Sequence, residues 1–160
     1  MNKRYKSAVL LAGLLSLSGI AVAEESLLQA VVTPFRQKEL VPVDNKPYKD
    51  ECGSCHFAYQ PGLLPSKSWE KLLNDKALSE HFGENAELDA DTLKVIRDYA
   101  LANAADKSYH KRSRKIAIAT ENIEAPLRIT EVRYIKRKHH EIPDTMIKGN
   151  KDVKSFSYCD

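Results

Sequence analysis

The chain has 160 residues, of which 42% are hydrophobic and 29% are charged. Its 6 glycines and 7 prolines exclude a collagen-like or low-complexity chain, and its composition excludes a protein with several membrane spans. The net charge is +3, but three basic residues lie within the first six positions and no acid precedes Glu24. The rest of the chain is electrically neutral, so its overall charge does not indicate nucleic acid as a partner.

The first 23 residues have the pattern of a secretory signal peptide. Lys3, Arg4 and Lys6 precede a short apolar run at 8–20, and residues 21–23 (AVA) form a small-x-small cleavage site. An uncleaved anchor is the alternative, but the run is shorter than the about 20 apolar residues that span a bilayer. We therefore expect residues 1–23 to be removed, no integral membrane segment to remain, and the mature protein to reach a bacterial periplasm.

Residues 24–49 are predicted to be an extended lead-in, because three prolines interrupt them. At most a short strand is expected there, at Leu28–Thr33. The next segment, residues 50–58, is predicted to be a turn of helix that carries a cysteine motif.

Cys52-Gly53-Ser54-Cys55-His56 has the C-x-x-C-H pattern of a c-type haem attachment site. Two thiols at this spacing can add to the two vinyl groups of one haem, and the histidine that follows reaches the iron from one face. Haem c is therefore the expected cofactor, with Cys52 and Cys55 as thioether links and His56 as an axial ligand.

Three other uses of this cysteine pair fit the sequence less well. A thioredoxin-like site needs a βαβ context, which is not predicted here. A zinc site needs four ligands, and the second half of such a motif is missing. A disulfide between Cys52 and Cys55 would leave His56 unexplained. Cys159 also makes the cysteine count odd, which is unusual for a disulfide framework in an oxidising compartment.

Two helices are predicted after the motif. The first is capped by Ser66 or Ser68 and places Trp69, Leu72 and Leu73 on one side. The second is capped by Asp89 or Asp91 and ends near Asp106. Its apolar residues recur at helical spacing; they are Leu88, Thr92, Val95, Ile96 and Tyr99.

A domain boundary is predicted after residue 106, which divides the mature chain into 24–106 and 107–160. Five basic residues without a clear period follow the boundary, between 107 and 115. Beyond them, Leu127, Ile129, Val132 and Tyr134 suggest short extended segments. The fold is therefore predicted to be mainly α, with a less regular C-terminal part.

Charge is distributed unevenly across this boundary. Residues 70–106 hold nine acids and four bases, whereas residues 107–138 hold three acids and ten bases. One interpretation is that the two parts attract each other as solvated faces. The other is that some basic side chains pair with haem propionates and the rest form a docking surface for a redox partner.

The second axial ligand decides between an electron carrier and an open haem site. His81, beside Phe82 and Gly83, is the natural candidate, and Met146 is its main competitor. Only one of the adjacent residues His139 and His140 is expected to be a ligand, and His110 is expected on the surface.

The sequence resembles the dihaem cytochromes c of bacteria (the DHC family). The matching stretches are residues 52–65, 68–69, 81–86, 126–131 and 140–143, and the first is highly specific. The resemblance implies two small haem domains, the N-terminal one similar to class I cytochromes c, with bis-histidine irons. It also implies electron exchange with other cytochromes or redox proteins, including an oxygen-binding haem protein in some bacteria.

The resemblance also implies roles for residues in the C-terminal part. Cys159 would open a second C-x-x-C-H motif, and His139 would be a ligand of the second haem. The sequence ends at Asp160, so the second cysteine and the histidine of that motif are absent. We expect a fragment cut within the motif; the alternative is a chain that truly ends here and binds one haem.

The sequence therefore predicts an exported electron-transfer protein rather than an enzyme. Its haem pocket is expected to be lined by Trp69, Phe82 and the face formed by Leu88, Val95 and Ile96. A haem enzyme or gas-binding protein with an open sixth coordination position is the alternative.

Overall fold

The computed structural model describes residues 37–151 and 153. Within them the secondary structure is helical except for an isolated bridge between His81 and Glu84. The helices are α1 (Lys46–Cys52), α2 (Ser66–Leu72), α3 (Asp75–Ser79), α4 (Ala90–Ala102), α5 (Lys111–Thr120) and α6 (Arg133–Lys138). Three 3-10 turns lie at Pro61–Leu63, Ile129–Glu131 and Asp144–Met146. The mainly α fold is thus confirmed.

Two predicted features lie outside the described residues: the signal peptide at 1–23 and the strand at Leu28–Thr33. The lead-in predicted over residues 24–49 is interrupted, because α1 begins at Lys46 with Pro47 in its first turn, where a proline is tolerated. In the described part of the chain no helix is long and apolar enough to cross a membrane.

Side-chain caps set the beginnings of three helices. Asn45, Asn74 and Asp89 accept hydrogen bonds from backbone N–H groups in the first turns of α1, α3 and α4. The predicted cap at Asp89 is therefore confirmed.

The cap predicted for the first helix after the motif is wrong. That helix, α2, begins at Ser66 after Pro65, and no side chain caps it. The Ser66 backbone N–H and hydroxyl donate instead to the Asp106 carboxylate, at 2.6 and 2.7 Å. This contact is possible because α4 ends at Ala102 rather than near Asp106 as predicted.

A cluster of aromatic side chains packs α1 against α2 and α4. The Tyr48 ring is 6.3 Å from the Trp69 ring and 5.2 Å from the Tyr99 ring, both in edge-to-face arrangements. The buried Tyr48 hydroxyl donates to the Tyr59 carbonyl at 2.7 Å, and Trp69 Nε1 donates to the Pro61 carbonyl at 2.9 Å. The core therefore also fixes the chain that follows the cysteine motif.

Helix α5 lies in the basic stretch, where the sequence showed no clear helical period. It fully buries Ser113, Ile116 and Thr120. Because two of these three residues are polar, the buried face does not appear as an apolar stripe. Ser113 packs closely against the turn at Pro61–Leu63, since a Cβ at Gly62 would lie 2.5 Å from Ser113 Oγ.

The extended segments predicted within residues 127–134 are wrong. Ile129–Glu131 form a 3-10 turn and α6 begins at Arg133, with extended backbone angles at the flanking Arg128 and Val132. The described residues from Gln37 onward form one compact unit. The domain boundary after residue 106 stays a prediction.

The orientation of α5 predicts that replacing two isoleucines on the same helix will lower the free energy of unfolding by different amounts. Ile116 is fully buried, whereas Ile118 is 64% exposed. Ile116→Ala should lower the free energy of unfolding by about 2–5 kcal/mol, because it leaves a cavity in the core. Ile118→Ala is the matched control and should change it by less than about 1 kcal/mol. Denaturant unfolding followed by circular dichroism measures both, and equal losses would contradict the buried face assigned to α5.

The tie between Ser66 and Asp106 predicts a pH-dependent contribution to stability. Burial alone would raise the pKa of the Asp106 carboxyl, but the hydrogen bonds from Ser66 outweigh it and lower the pKa. The stabilisation is therefore complete above the unfolded-state pKa of about 3.9 and is lost as the pH falls through the lower folded-state value.

Asp106→Asn should consequently cost about 1 kcal/mol at pH 7, a figure that allows for solvent screening of this exposed group. The difference from the wild type should shrink as the pH falls below about 4. Asp98→Asn removes a carboxylate from an exposed pair with Lys94 and is the control, with little expected effect. Unfolding curves recorded between pH 7 and pH 3 measure both variants, and a pH-independent loss in Asp106→Asn would refute the role of the carboxylate.

Candidate haem site

The C-x-x-C-H motif lies at the C-terminal end of α1. The helix ends at Cys52, closed by a hydrogen bond from Gly53 N–H to the Lys49 carbonyl at 3.0 Å. The rest of the motif is a turn followed by a bend, so the helix predicted over residues 50–58 stops early. This arrangement directs residues 55–56 away from the helix.

The two thiols of the motif have different surroundings. Cys52 is partly buried against the core, whereas Cys55 is exposed, and both are free thiols. Burial raises the pKa of the Cys52 thiol to about 11, and the adjacent Glu51 carboxylate adds to the rise. Cys52 is therefore a protonated thiol at neutral pH.

The His56 and His81 rings lie close to each other with nearly parallel planes. Their centroids are 6.5 Å apart and their planes differ by 22°. His56 Nδ1 is 2.7 Å from the Phe57 carbonyl oxygen, which can only accept a hydrogen bond. Nδ1 must therefore carry the proton, and the lone pair of His56 is left on Nε2.

His81 lies in a tight turn after α3. Glu84 N–H donates to the His81 carbonyl at 3.1 Å, and Phe82 and Gly83 between them have φ angles of 54° and 103°. Both central residues of the turn thus adopt left-handed conformations, which glycine tolerates and phenylalanine rarely adopts. The flanking hydrogen bond from Ala86 N–H to the Leu78 carbonyl, 2.9 Å, holds this turn against α3.

The electrostatic environment keeps the His81 ring neutral. Its pKa is lowered mainly by burial, and further by the neighbouring His56 and by the guanidinium of Arg128. A neutral imidazole has the lone pair that a metal ligand requires.

The spacing of the two rings fits a single iron between them. Two metal–imidazole bonds of about 2 Å, with about 1 Å more from each nitrogen to its ring centre, require about 6 Å between ring centres. Within residues 37–151 no group of three or more His, Cys, Asp or Glu side chains converges as a site for a bare metal ion. Two imidazoles at this spacing would suit an iron whose other four ligands come from a macrocycle, as in haem.

The other predicted iron and haem ligands belong to the C-terminal part of the chain. His139 is exposed at the end of α6, where its Nδ1 is 2.8 Å from the Ile135 carbonyl oxygen. Met146, the competitor for the sixth position, is 61% exposed in the turn at Asp144–Met146. Cys159 lies outside the described residues. Its role and that of His139 stay predictions.

The predicted pocket residues divide into two groups. Trp69 and Ile96 are buried in the core, and Leu88 packs against it. Phe82 and Val95 are 46% and 44% exposed.

One residue near the site was given no role from the sequence. Arg128 Cζ lies 3.9 Å from the centre of the Phe82 ring. Its sequence signals were its place in the basic stretch 107–138 and its position within residues 126–131, a stretch that resembles the dihaem family.

Comparison with known proteins identifies the family. A search of curated proteins finds no match. Among solved structures, a dihaem cytochrome c from Rhodobacter sphaeroides is 38% identical, with a TM-score of 0.62, over 74% of this chain and 89% of that one. A dihaem cytochrome c from Shewanella baltica OS155 is 36% identical, with a TM-score of 0.56, over 74% and 79%. The dihaem cytochrome c (DHC) family profile matches residues 48–160. The chain is thus a member of the dihaem cytochrome c family.

Proposed function

We propose that this protein is a periplasmic electron carrier whose first haem is attached through Cys52 and Cys55 and bound by His56 and His81. The observation that carries the proposal is the pair of nearly parallel imidazole rings whose centres are 6.5 Å apart. An iron with both axial positions filled by the protein can exchange electrons but has no open position for a gas or peroxide. Membership of a haem c electron-transfer family supports the same conclusion.

When bound, haem c supplies one-electron chemistry, and the protein sets the conditions for it. The Phe57 carbonyl fixes the tautomer of His56, and the turn after α3 presents His81 from the opposite side. Two histidine ligands give a lower reduction potential than the histidine–methionine pair that Met146 would provide.

We further propose a second haem in residues 107–160, with Cys159 as a thioether link and His139 as an axial ligand. Other cytochromes or redox proteins, among them an oxygen-binding cytochrome c, are the proposed partners. The excess of seven positive charges in residues 107–138 would steer an acidic partner towards this part of the protein. Export to the periplasm depends on the signal sequence at 1–23.

Replacing His81 should open one iron. The reduced wild type should bind carbon monoxide only slowly, because both axial positions would be occupied and His81 would first have to leave the iron. His81→Ala should bind it at about one site per chain and should change the visible spectrum. Met146→Leu is the control for the competing ligand and should keep the wild-type spectrum. A His81→Ala protein with an unchanged low-spin spectrum would refute the assignment, and carbon monoxide binding by the wild type as fast as by His81→Ala would favour the gas-binding or enzymatic alternative.

The number of covalent haems tests the second site. The native protein, purified from the periplasm of its own organism, should carry two haems when its intact mass is compared with its pyridine haemochrome absorbance. A count of one would refute the roles proposed for Cys159 and His139, while a count of zero would refute the haem proposal as a whole.

A further inference from the structure

Three side chains, Arg128, Phe82 and His81, form a continuous series of contacts beside the candidate haem site. The Arg128 guanidinium lies 3.9 Å from the centre of the Phe82 ring. The Phe82 ring centre is in turn 4.8 Å from that of His81, with the planes inclined by 59°. Arg128 thus reaches the turn that presents His81 from a position 46 residues further along the chain.

Phe82 is an unusual residue for its backbone position. It has a φ of 54° and is followed by Gly83 at 103°, so the turn is held in a conformation that a bulky residue rarely adopts. Phe82 is also 46% exposed, and burial therefore does little to hold its ring. The contact that covers the ring from outside the turn is the guanidinium of Arg128, in the geometry of a cation–π interaction.

We propose that Arg128 is a positioning residue for His81: its guanidinium clamps the Phe82 ring and thereby holds the turn that presents the distal imidazole. The proposal rests on the proposed role of His81 as an iron ligand. It connects the C-terminal part of the chain with the ligand sphere of the first haem.

The clamp carries a positive charge, which has a second consequence. The steps of 3.9 and 4.8 Å place the guanidinium within about 9 Å of the His81 ring centre. A cation there disfavours the ferric state, which carries one more positive charge than the ferrous state. Arg128 should therefore raise the reduction potential of this iron.

Arg128→Gln tests both consequences in the haem-loaded protein. The ratio of reduced to oxidised first haem at a fixed ambient potential should fall about three- to tenfold, where tenfold is 59 mV for one electron. Carbon monoxide binding to the reduced protein, which requires His81 to leave the iron, should become about two- to fivefold faster. Arg128→Lys keeps the charge but loses the planar group, so its potential should stay near that of the wild type.

Arg133→Gln is the matched control. Arg133 is an exposed arginine of the same basic stretch at the start of α6, so its replacement makes the same change in net charge. It should leave the potential and the rate of carbon monoxide binding unchanged. An equal fall in potential in both variants would attribute the effect to net charge and would overturn the local role of Arg128.

A double-mutant cycle tests whether Arg128 acts through Phe82. Phe82→Leu should speed carbon monoxide binding with little effect on the potential, since the charge remains. Adding Arg128→Gln to it should produce no further acceleration, because the clamp is already lost. Additive accelerations would show that Arg128 acts elsewhere, for example on a haem propionate, and would overturn the proposal.

Failure of the Arg128 clamp can be distinguished from failure of the proposed role of His81 as an iron ligand. The Arg128, Arg133 and Phe82 variants should retain the haem count and the low-spin oxidised spectrum of the wild type. If they do and Arg128→Gln leaves both readouts unchanged, the clamp is refuted while the ligand assignment stands. If His81→Ala leaves the iron low-spin, the ligand assignment itself fails.

Discussion

The spacing between the His56 and His81 rings is the constraint on which the described fold depends. The two rings come from separate parts of the chain, just after α1 and just after α3, yet their centres lie 6.5 Å apart with nearly parallel planes. If both rings bind one iron as proposed, the two elements must be held to a fraction of an ångström, because iron–imidazole bonds tolerate only small changes in length. The hydrophobic core is the part of the structure that can meet this requirement, because a close-packed interior resists displacement.

The contacts around each histidine show how that spacing is maintained. Tyr48 anchors α1 against α2 and α4, and its hydroxyl also holds the chain just after the motif, at Tyr59. On the other side, the Asn74 cap starts α3, and the hydrogen bond from Ala86 to Leu78 closes the turn back onto it. The left-handed Phe82 costs about 1–3 kcal/mol, and a conformation of this kind persists where its surroundings enforce it. Strain next to a proposed ligand is consistent with a turn selected for the direction of His81.

Sequence analysis recovered the features that depend on neighbours in the chain. The C-x-x-C-H motif, the cap at Asp89 and the mainly α fold are all local patterns. The helical face of α5 was missed because it buries Ser113 and Thr120, whose polarity conceals the helical period. The contact of Ser66 with Asp106 spans 40 residues and that of Arg128 with Phe82 spans 46, and no local pattern encodes either. His81 could be proposed as a ligand from its sequence context, whereas its approach to His56 required the fold.

The uneven charge distribution is better explained by long-range fields than by ion pairs. Among residues 37–151, the ion pair that joins the acidic and basic stretches is that of Lys71 with Glu124, at 3.2 Å. Lys71 is one of the few bases in the acidic stretch, and Glu124 is one of the few acids in the basic stretch. Both side chains are well exposed, so the pair contributes little to stability. The field of the basic stretch would therefore extend into solvent over the roughly 8 Å that physiological salt allows, which is the range over which it would orient the proposed partner. Arg128, which belongs to this basic stretch, contacts Phe82 in the turn that carries His81. On the proposals made above, one stretch of sequence would therefore both attract a redox partner and adjust the iron that exchanges electrons with it.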